Sequence, residues 1–208
     1  GMSVPEIYAE SADGHLLLVE DFGLTEFQRL LKNGANPLPL FTLATDTLLE
    51  LQRRFAERKP DMTGLRNYTP DFFLTHLAVI PEVYMPLLCG RGPSTSDRAA
   101  FDRLWKDVLT RACATPTSLM LRDFNVSNVF HLKDRPGINA MGLIDFETAG
   151  TGPAIYDIVA IMRDSRYLID KALADTCIDR FIAASPGLTR PEFDIAYNIL
   201  GTMRQVQW

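Results

Sequence analysis

Leu121-Arg122-Asp123-Phe124-Asn125-Val126-Ser127-Asn128-Val129, followed by Leu143-Ile144-Asp145-Phe146-Glu147, is the part of this 208-residue chain on which its fold turns. Between Ser118 and Asp145 the apolar residues come in short runs: Leu119 and Leu121, then Val129 to Leu132, then Met141 to Ile144. Polar loops separate them, so the spacing predicts strands rather than helix. Asp134-Arg135-Pro136-Gly137 supplies turn chemistry between two of these runs and predicts a hairpin. Asp123 and Asn128 then lie in the loop before the hairpin, and Asp145 at its end.

These three residue types suit one kind of chemistry. Moving a phosphoryl group from ATP needs a carboxylate to orient a hydroxyl and accept its proton, and oxygen ligands for the Mg²⁺ that neutralises the phosphates. A D-x-x-x-x-N loop places the base, Asp123, at its start and an amide oxygen, Asn128, further along; the Asp of a D-F-x turn, Asp145, meets the same ion from the other side. Mg²⁺ favours one or two carboxylates completed by substrate phosphates and water. Taken alone, D-x-x-x-x-N is a weak signal, because Asp and Asn are the ordinary residues of Asx-turns. The strand before it and the Ile-Asp-Phe closing a hairpin after it add the specificity.

Outward from this centre the pattern is mostly helical. Toward the N-terminus, Val4–Ala9 and His15–Glu20 read as strands around Asp13-Gly14, a turn dipeptide. Thr25-Glu26-Phe27-Gln28 reads as a capping box with Thr25 at the N-cap, and Asn33-Gly34 as the stop. Phe41, Ala44, Leu48, Leu51 and Phe55 form the apolar stripe of a helix that ends before Pro60. Thr69-Pro70 starts another, interrupted at Pro81, and Ser96 is the expected cap of a third with Phe101, Leu104, Trp105 and Val108 on one face. Gly150-Thr151-Gly152 reads as a turn rather than a phosphate loop, since it follows the metal-binding Asp instead of a first strand. Beyond Pro153 helices return, with Ser185-Pro186-Gly187 before the last. The chain is therefore expected to be α+β.

Composition narrows the partners. The net charge is -5 with no run of Lys or Arg, which argues against nucleic acid or anionic lipid as partner. Three cysteines without C-x-x-C pairing fit free thiols in a reducing cytoplasm, and the three scattered histidines share no zinc spacing. No apolar run is expected to cross a bilayer. Gly1-Met2-Ser3 reads as an expression scar.

The blocks Leu121–Asn128, Gly142–Glu147 and Gly152-Pro153-Ala154-Ile155-Tyr156-Asp157-Ile158 resemble three successive motifs of the aminoglycoside phosphotransferase and choline kinase superfamily. From Leu121 to Arg166 the likeness is strongest to the bacterial kinases that phosphorylate the anomeric hydroxyl of N-acetylmuramate and N-acetylglucosamine, notably over Ile161–Arg166. The resemblance implies a protein-kinase-like fold: a remnant of the small β lobe with the hinge over residues 1–22, and a mainly helical catalytic lobe over 23–208 carrying the hairpin. It implies an ATP- and Mg²⁺-dependent kinase of a small hydroxylated molecule, a sugar or amino sugar. Asp123 would be the base, Asn128 and Asp145 the magnesium ligands, and backbone groups of Glu20, Asp21 and Phe22 would hold adenine. Arg122 would face phosphate or substrate, and Asp157 would be structural, buried and bonded to catalytic-loop amides. Glu82, Tyr84 and Met85 are weaker candidates for substrate contact.

The pattern departs from the family in three places. Leu121 stands where members often have His. Neither a glycine-rich turn over the phosphates nor a third-strand Lys is found, and Met203–Trp208 stops inside a helical pattern, so the chain reads as about two-thirds of a longer protein. A kinase-shaped binding or regulatory protein without activity is the alternative.

Overall fold

The computed structural model describes residues 2–207. An antiparallel ribbon opens the chain, β1 (Ile7–Glu10) paired with β2 (Leu17–Val19), its turn closed by Gly14 at φ 70°. Next come α1 (Phe27–Lys32), α2 (Pro37–Arg58), the short β3 (Arg66–Asn67) and α3 (Pro70–Leu77). A π-helical turn, Ile80–Tyr84, leads into α4 (Met85–Cys89), and α5 (Thr95–Ala112) follows. The β insert holds β4 (Thr117–Met120), β5 (Val129–His131), β6 (Met141–Leu143) and β7 (Gly150–Pro153); α6 (Tyr156–Met162), α7 (Lys171–Ala183) and α8 (Arg190–Gln207) complete the order.

Helix α2 forms where its apolar stripe predicts. Asn36 accepts the amide of Leu38, Phe41, Ala44 and Leu48 are sealed in the core, and Lys59 ends the helix in the left-handed region. Burying side chains of the size of Phe41 and Leu48 contributes about 1.5–3 kcal/mol each. Around them gather Phe73 and Leu77 of α3, Leu109 of α5, the whole of α6, and Phe193, Ala196, Leu200 and Met203 of α8. Helix α6 is buried on every side, its one charged residue, Asp157, included.

β5 and β6 form the expected antiparallel hairpin, with Val129 opposite Leu143. Ser3 and Phe22 hold it in place: Leu143 donates its amide to the Ser3 carbonyl at 2.9 Å, and the Phe22 ring packs edge-on against Phe130 at 5.6 Å. Gly142 lies beneath the Phe22 ring, where a Cβ would come within 2.8 Å of it.

Several expectations are corrected. Thr25 does not cap α1; its hydroxyl donates to the Phe22 carbonyl at 3.1 Å, and Glu26 takes the N-cap place without a side-chain bond because its backbone bridges to Phe130. α5 is capped by Ser94 rather than Ser96, and Leu104 points to solvent at 64% exposure while Leu109 and Ala112 make the buried contact. Gly150–Pro153 is a strand between β3 and β4, parallel to the first and antiparallel to the second, not a turn. Glycine is needed at Gly150 because a side chain there would press on the Arg66 carbonyl and the Tyr68 ring. The interruption expected at Pro81 is a π turn within a continuous helical run, and, against the expectation of no such run, Pro70–Cys89 is long and apolar enough, by length and composition, to cross a membrane. Its Phe73 and Leu77 are nevertheless packed in the core.

Candidate active site

The loop between β4 and β5 is shaped by its own amides. The main-chain carbonyl of Asp123 accepts the side-chain nitrogens of both Asn125 and Asn128, each at 3.0 Å. Asn125, 4% exposed, turns its oxygen to the amide and hydroxyl of Ser127, an Asx-turn that fixes the bend. Asn128 reaches on to the Asp145 carboxylate, its Nδ2 lying 2.9 Å from Oδ2. The three residues singled out in the sequence therefore meet: one amide joins the loop of Asp123 to the turn of Asp145.

Two of these positions carry strained backbone. Arg122 has φ 72° and Asp145 φ 60°, the left-handed region that costs non-glycine residues about 1–3 kcal/mol when the surroundings enforce it. At Arg122 the enforcement is visible. Its amide donates to Asp157 Oδ1 at 2.9 Å, and the preceding amide of Leu121 to Oδ2 at 2.7 Å. Asp157, 3% exposed, is thus a two-pronged acceptor for the strand end that presents Asp123.

Burial pushes the Asp157 carboxyl up to about 6, against the pull of those two amides and of Arg204. A folded-state value above the unfolded 3.8 means the folded chain binds more protons in between, so stability contributed by the neutral acid is lost as pH rises from about 4 to 6. The total is about 2–3 kcal/mol at ~1.4 kcal/mol per pH unit. Asp157→Asn cannot ionise and should lack this slope, although its amide nitrogen leaves one backbone donor unpaired. Urea melts of both proteins at pH 4 and 6.5 check this, and parallel pH dependences would refute it.

A second acid does for the far end of the loop what Asp157 does for the near end. Asp164, just past α6, accepts the Val126 amide at 2.9 Å on one oxygen and the Arg166 amide and guanidinium on the other. Both carboxylates come from one segment, so α6 grips the Asp123–Asn128 loop at each end. Thr148 places its hydroxyl 3.4 Å from Asp123 Oδ2, and the Tyr68 hydroxyl donates to the Thr148 carbonyl.

The Arg122 guanidinium sits over the Tyr68 ring and 4.0 Å from the Asp123 carboxylate. It therefore lies beside Asp123. Glu20 pairs its carboxylate with Arg135 and its amide with the Glu6 carbonyl, while Asp21 accepts the Gly23 amide at 2.7 Å. Phe22 is packed away against the hairpin. Glu82, one of the weaker candidates, pairs with Arg98. A cavity of about 780 Å³ lies elsewhere, between α2, β4 and the turn before α8, and holds none of these residues.

The donor set fits a hard cation completed by phosphate oxygens. Among the described residues no group of three His, Cys, Asp or Glu gathers as a self-sufficient metal cage. Asp145 is solvent-exposed, and Asn128 is hydrogen-bonded to it through nitrogen, so a shared ion would need the amide oxygen presented instead.

Asp164, Tyr68, Thr148 and Arg204 were not read from the sequence. Asp164 stood within a segment noted for its family likeness, and Asp164-Ser165-Arg166 is an Asx-type turn, a signal that this acid faces backbone. The others carry no local signature.

The chain is similar to several known proteins. The chain is 25% identical over 211 residues to an N-acetylmuramate/N-acetylglucosamine kinase of Caulobacter vibrioides, covering 100% of this chain and 58% of that protein. It is 28% identical over 162 residues to one from Pseudomonas putida, covering 78% and 44%. The chain thus spans about half the length of the curated relatives it matches. Among solved structures, a choline/ethanolamine kinase family protein from Mesorhizobium loti superposes with a TM-score of 0.62 at 11% identity, over 99% of this chain and 63% of that one. An aminoglycoside phosphotransferase from Streptomyces rimosus, in complex with ADP and streptomycin, gives 0.56 at 17%, over 96% and 76%. These likenesses show the protein-kinase-like α+β fold. The profile of the phosphotransferase enzyme family, APH, matches residues 1–193, and the chain belongs to that family.

Proposed function

We propose that this chain carries the phosphate-transfer machinery of an ATP-dependent kinase of a small hydroxylated molecule, with an amino sugar as acceptor, working in the cytoplasm. The observation that supports the reading is the bridge made by Asn128 between the Asp123 carbonyl and the Asp145 carboxylate, which brings together the two acids that would act as base and cation ligand. In this reading Asp123 orients the acceptor hydroxyl and takes its proton as the oxygen bonds to the γ-phosphorus and the bond to the β-phosphate bridging oxygen breaks, releasing ADP. Asn128 and Asp145 would hold Mg²⁺, which neutralises phosphate charge when bound. Arg122, beside the base, would meet the transferred phosphoryl group. Residues 19–23 would form the adenine-binding hinge through main-chain groups of Glu20, Asp21 and Phe22 other than the Glu20 amide and the Phe22 carbonyl, which are bonded to the Glu6 carbonyl and the Thr25 hydroxyl.

The choice of amino sugar rests on the names of the curated relatives, all of them N-acetylmuramate/N-acetylglucosamine kinases. ADP release by the full-length protein should be followed with ATP, Mg²⁺ and a panel of N-acetylmuramate, N-acetylglucosamine, glucose, choline and kanamycin. Turnover with an N-acetylated sugar and none with choline or kanamycin is expected. Turnover confined to choline or kanamycin would overturn the acceptor class, and none with any compound would favour a binding protein.

A further inference from the structure

We infer that Arg204, on the last helix, is a positioning residue for Asp123: its guanidinium holds the carbonyl of the strained residue that immediately precedes the base. The inference rests on the kinase reading above.

Arg204 Nη1 lies 3.3 Å from the Arg122 carbonyl and 2.8 Å from the Tyr156 hydroxyl. Arg122, at φ 72°, is therefore gripped at both of its backbone polar groups, the N–H by Asp157 and the C=O by Arg204. A non-glycine residue in that conformation relaxes unless it is held, and the peptide that would swing on relaxation is the one leading into Asp123. Tyr156 is 2% exposed and stacked on Phe73, so the guanidinium is bonded to a fixed phenol and cannot drift with solvent.

The rest of α8 is built to deliver this side chain in register. Phe193, Ala196, Leu200 and Met203 are fully buried along its inner face. On a neighbouring face Tyr197, Gly201 and Gln205 seat Arg163: the guanidinium lies over the Tyr197 ring at 5.5 Å and donates to Gln205 Oε1 at 3.1 Å. A side chain at Gly201 would collide with it. Arg163 follows α6, the helix that carries Asp157, so the two grips on Arg122 are tied to each other.

The test compares full-length wild type with Arg204→Met, which keeps the aliphatic stem, and Arg204→Lys, which keeps the charge, with Asp123→Ala as the inactive reference. Misplacing the base should lower kcat about 10- to 100-fold in Arg204→Met, with KM for ATP and acceptor nearly unchanged. The Lys variant should fall between, and millimolar methylguanidinium should restore part of the Met variant's rate. A Met variant that melts earlier yet turns over at the wild-type kcat would show a merely structural role and overturn the inference. If Arg204→Met does not fold, Arg204→Lys decides: wild-type kcat in that variant overturns it equally. Wild type that transfers no phosphate would instead defeat the kinase reading, whatever the Arg204 variants do.

Discussion

Asp123→Ala is expected to lower kcat by about 10²- to 10⁴-fold, the usual worth of a positioned general base, with little change in folding stability. The two halves of that expectation have different structural origins. The loop is held through the Asp123 main-chain carbonyl, which accepts Asn125 and Asn128, and through the amides given to Asp157 and Asp164. Alanine keeps all of these. What it removes is a carboxylate 22% exposed whose protein neighbours are the Thr148 hydroxyl at 3.4 Å and the Arg122 guanidinium at 4.0 Å, contacts too long to contribute much to folding. Asp123→Asn, nearly isosteric, should be as inactive as alanine, because shape is kept and basicity lost. KM for ATP should stay near wild type in both. Steady-state kinetics beside thermal melts check this, and an alanine variant within tenfold of wild-type kcat would remove Asp123 from the role of base.

The parts of this site that could be read in the sequence are those whose chemistry is local. The hairpin and its Asp and Asn loops announce themselves because a strand period, a turn and an Asx-turn each span only a few residues. The same holds for Thr69 at a helix start, where the capping oxygen and the amide it meets are near neighbours in sequence. Local reading failed where tertiary contact chose between equal options. Ser94, Thr95 and Ser96 all offer a hydroxyl, and only the path of the preceding chain selects Ser94. β7 is written Gly-Thr-Gly-Pro, in which only Thr favours a strand, and its glycines are required because Arg66, Tyr68 and Met120 crowd Gly150 and Gly152 so closely that a side chain would not fit. Arg204 lies 82 positions from the carbonyl it holds, and an Arg on an amphipathic helix reads as a solvated face until the helix is docked.

Asp145→Asn should separate the two acids. Asparagine tolerates the left-handed region as well as aspartate does, so the φ of 60° at this exposed position adds no new strain, and the contact with Asn128 survives as an amide pair. Melting temperature should therefore hold. The negative charge is lost, and with it the stronger attraction for a divalent ion beside the phosphates. The half-saturating Mg²⁺ concentration should rise at least about tenfold, and kcat at saturating Mg²⁺ should fall about 10²-fold or more, since charge stabilisation of this kind contributes several kcal/mol and each ~1.4 kcal/mol is a factor of ten. Asp123→Ala, by contrast, should leave the Mg²⁺ dependence of its residual rate where wild type has it. Magnesium titrations of the three proteins at saturating ATP measure the difference directly. Equal shifts in both variants would mean that the two carboxylates act as one ligand pair, and that the proton of the acceptor hydroxyl leaves by another route.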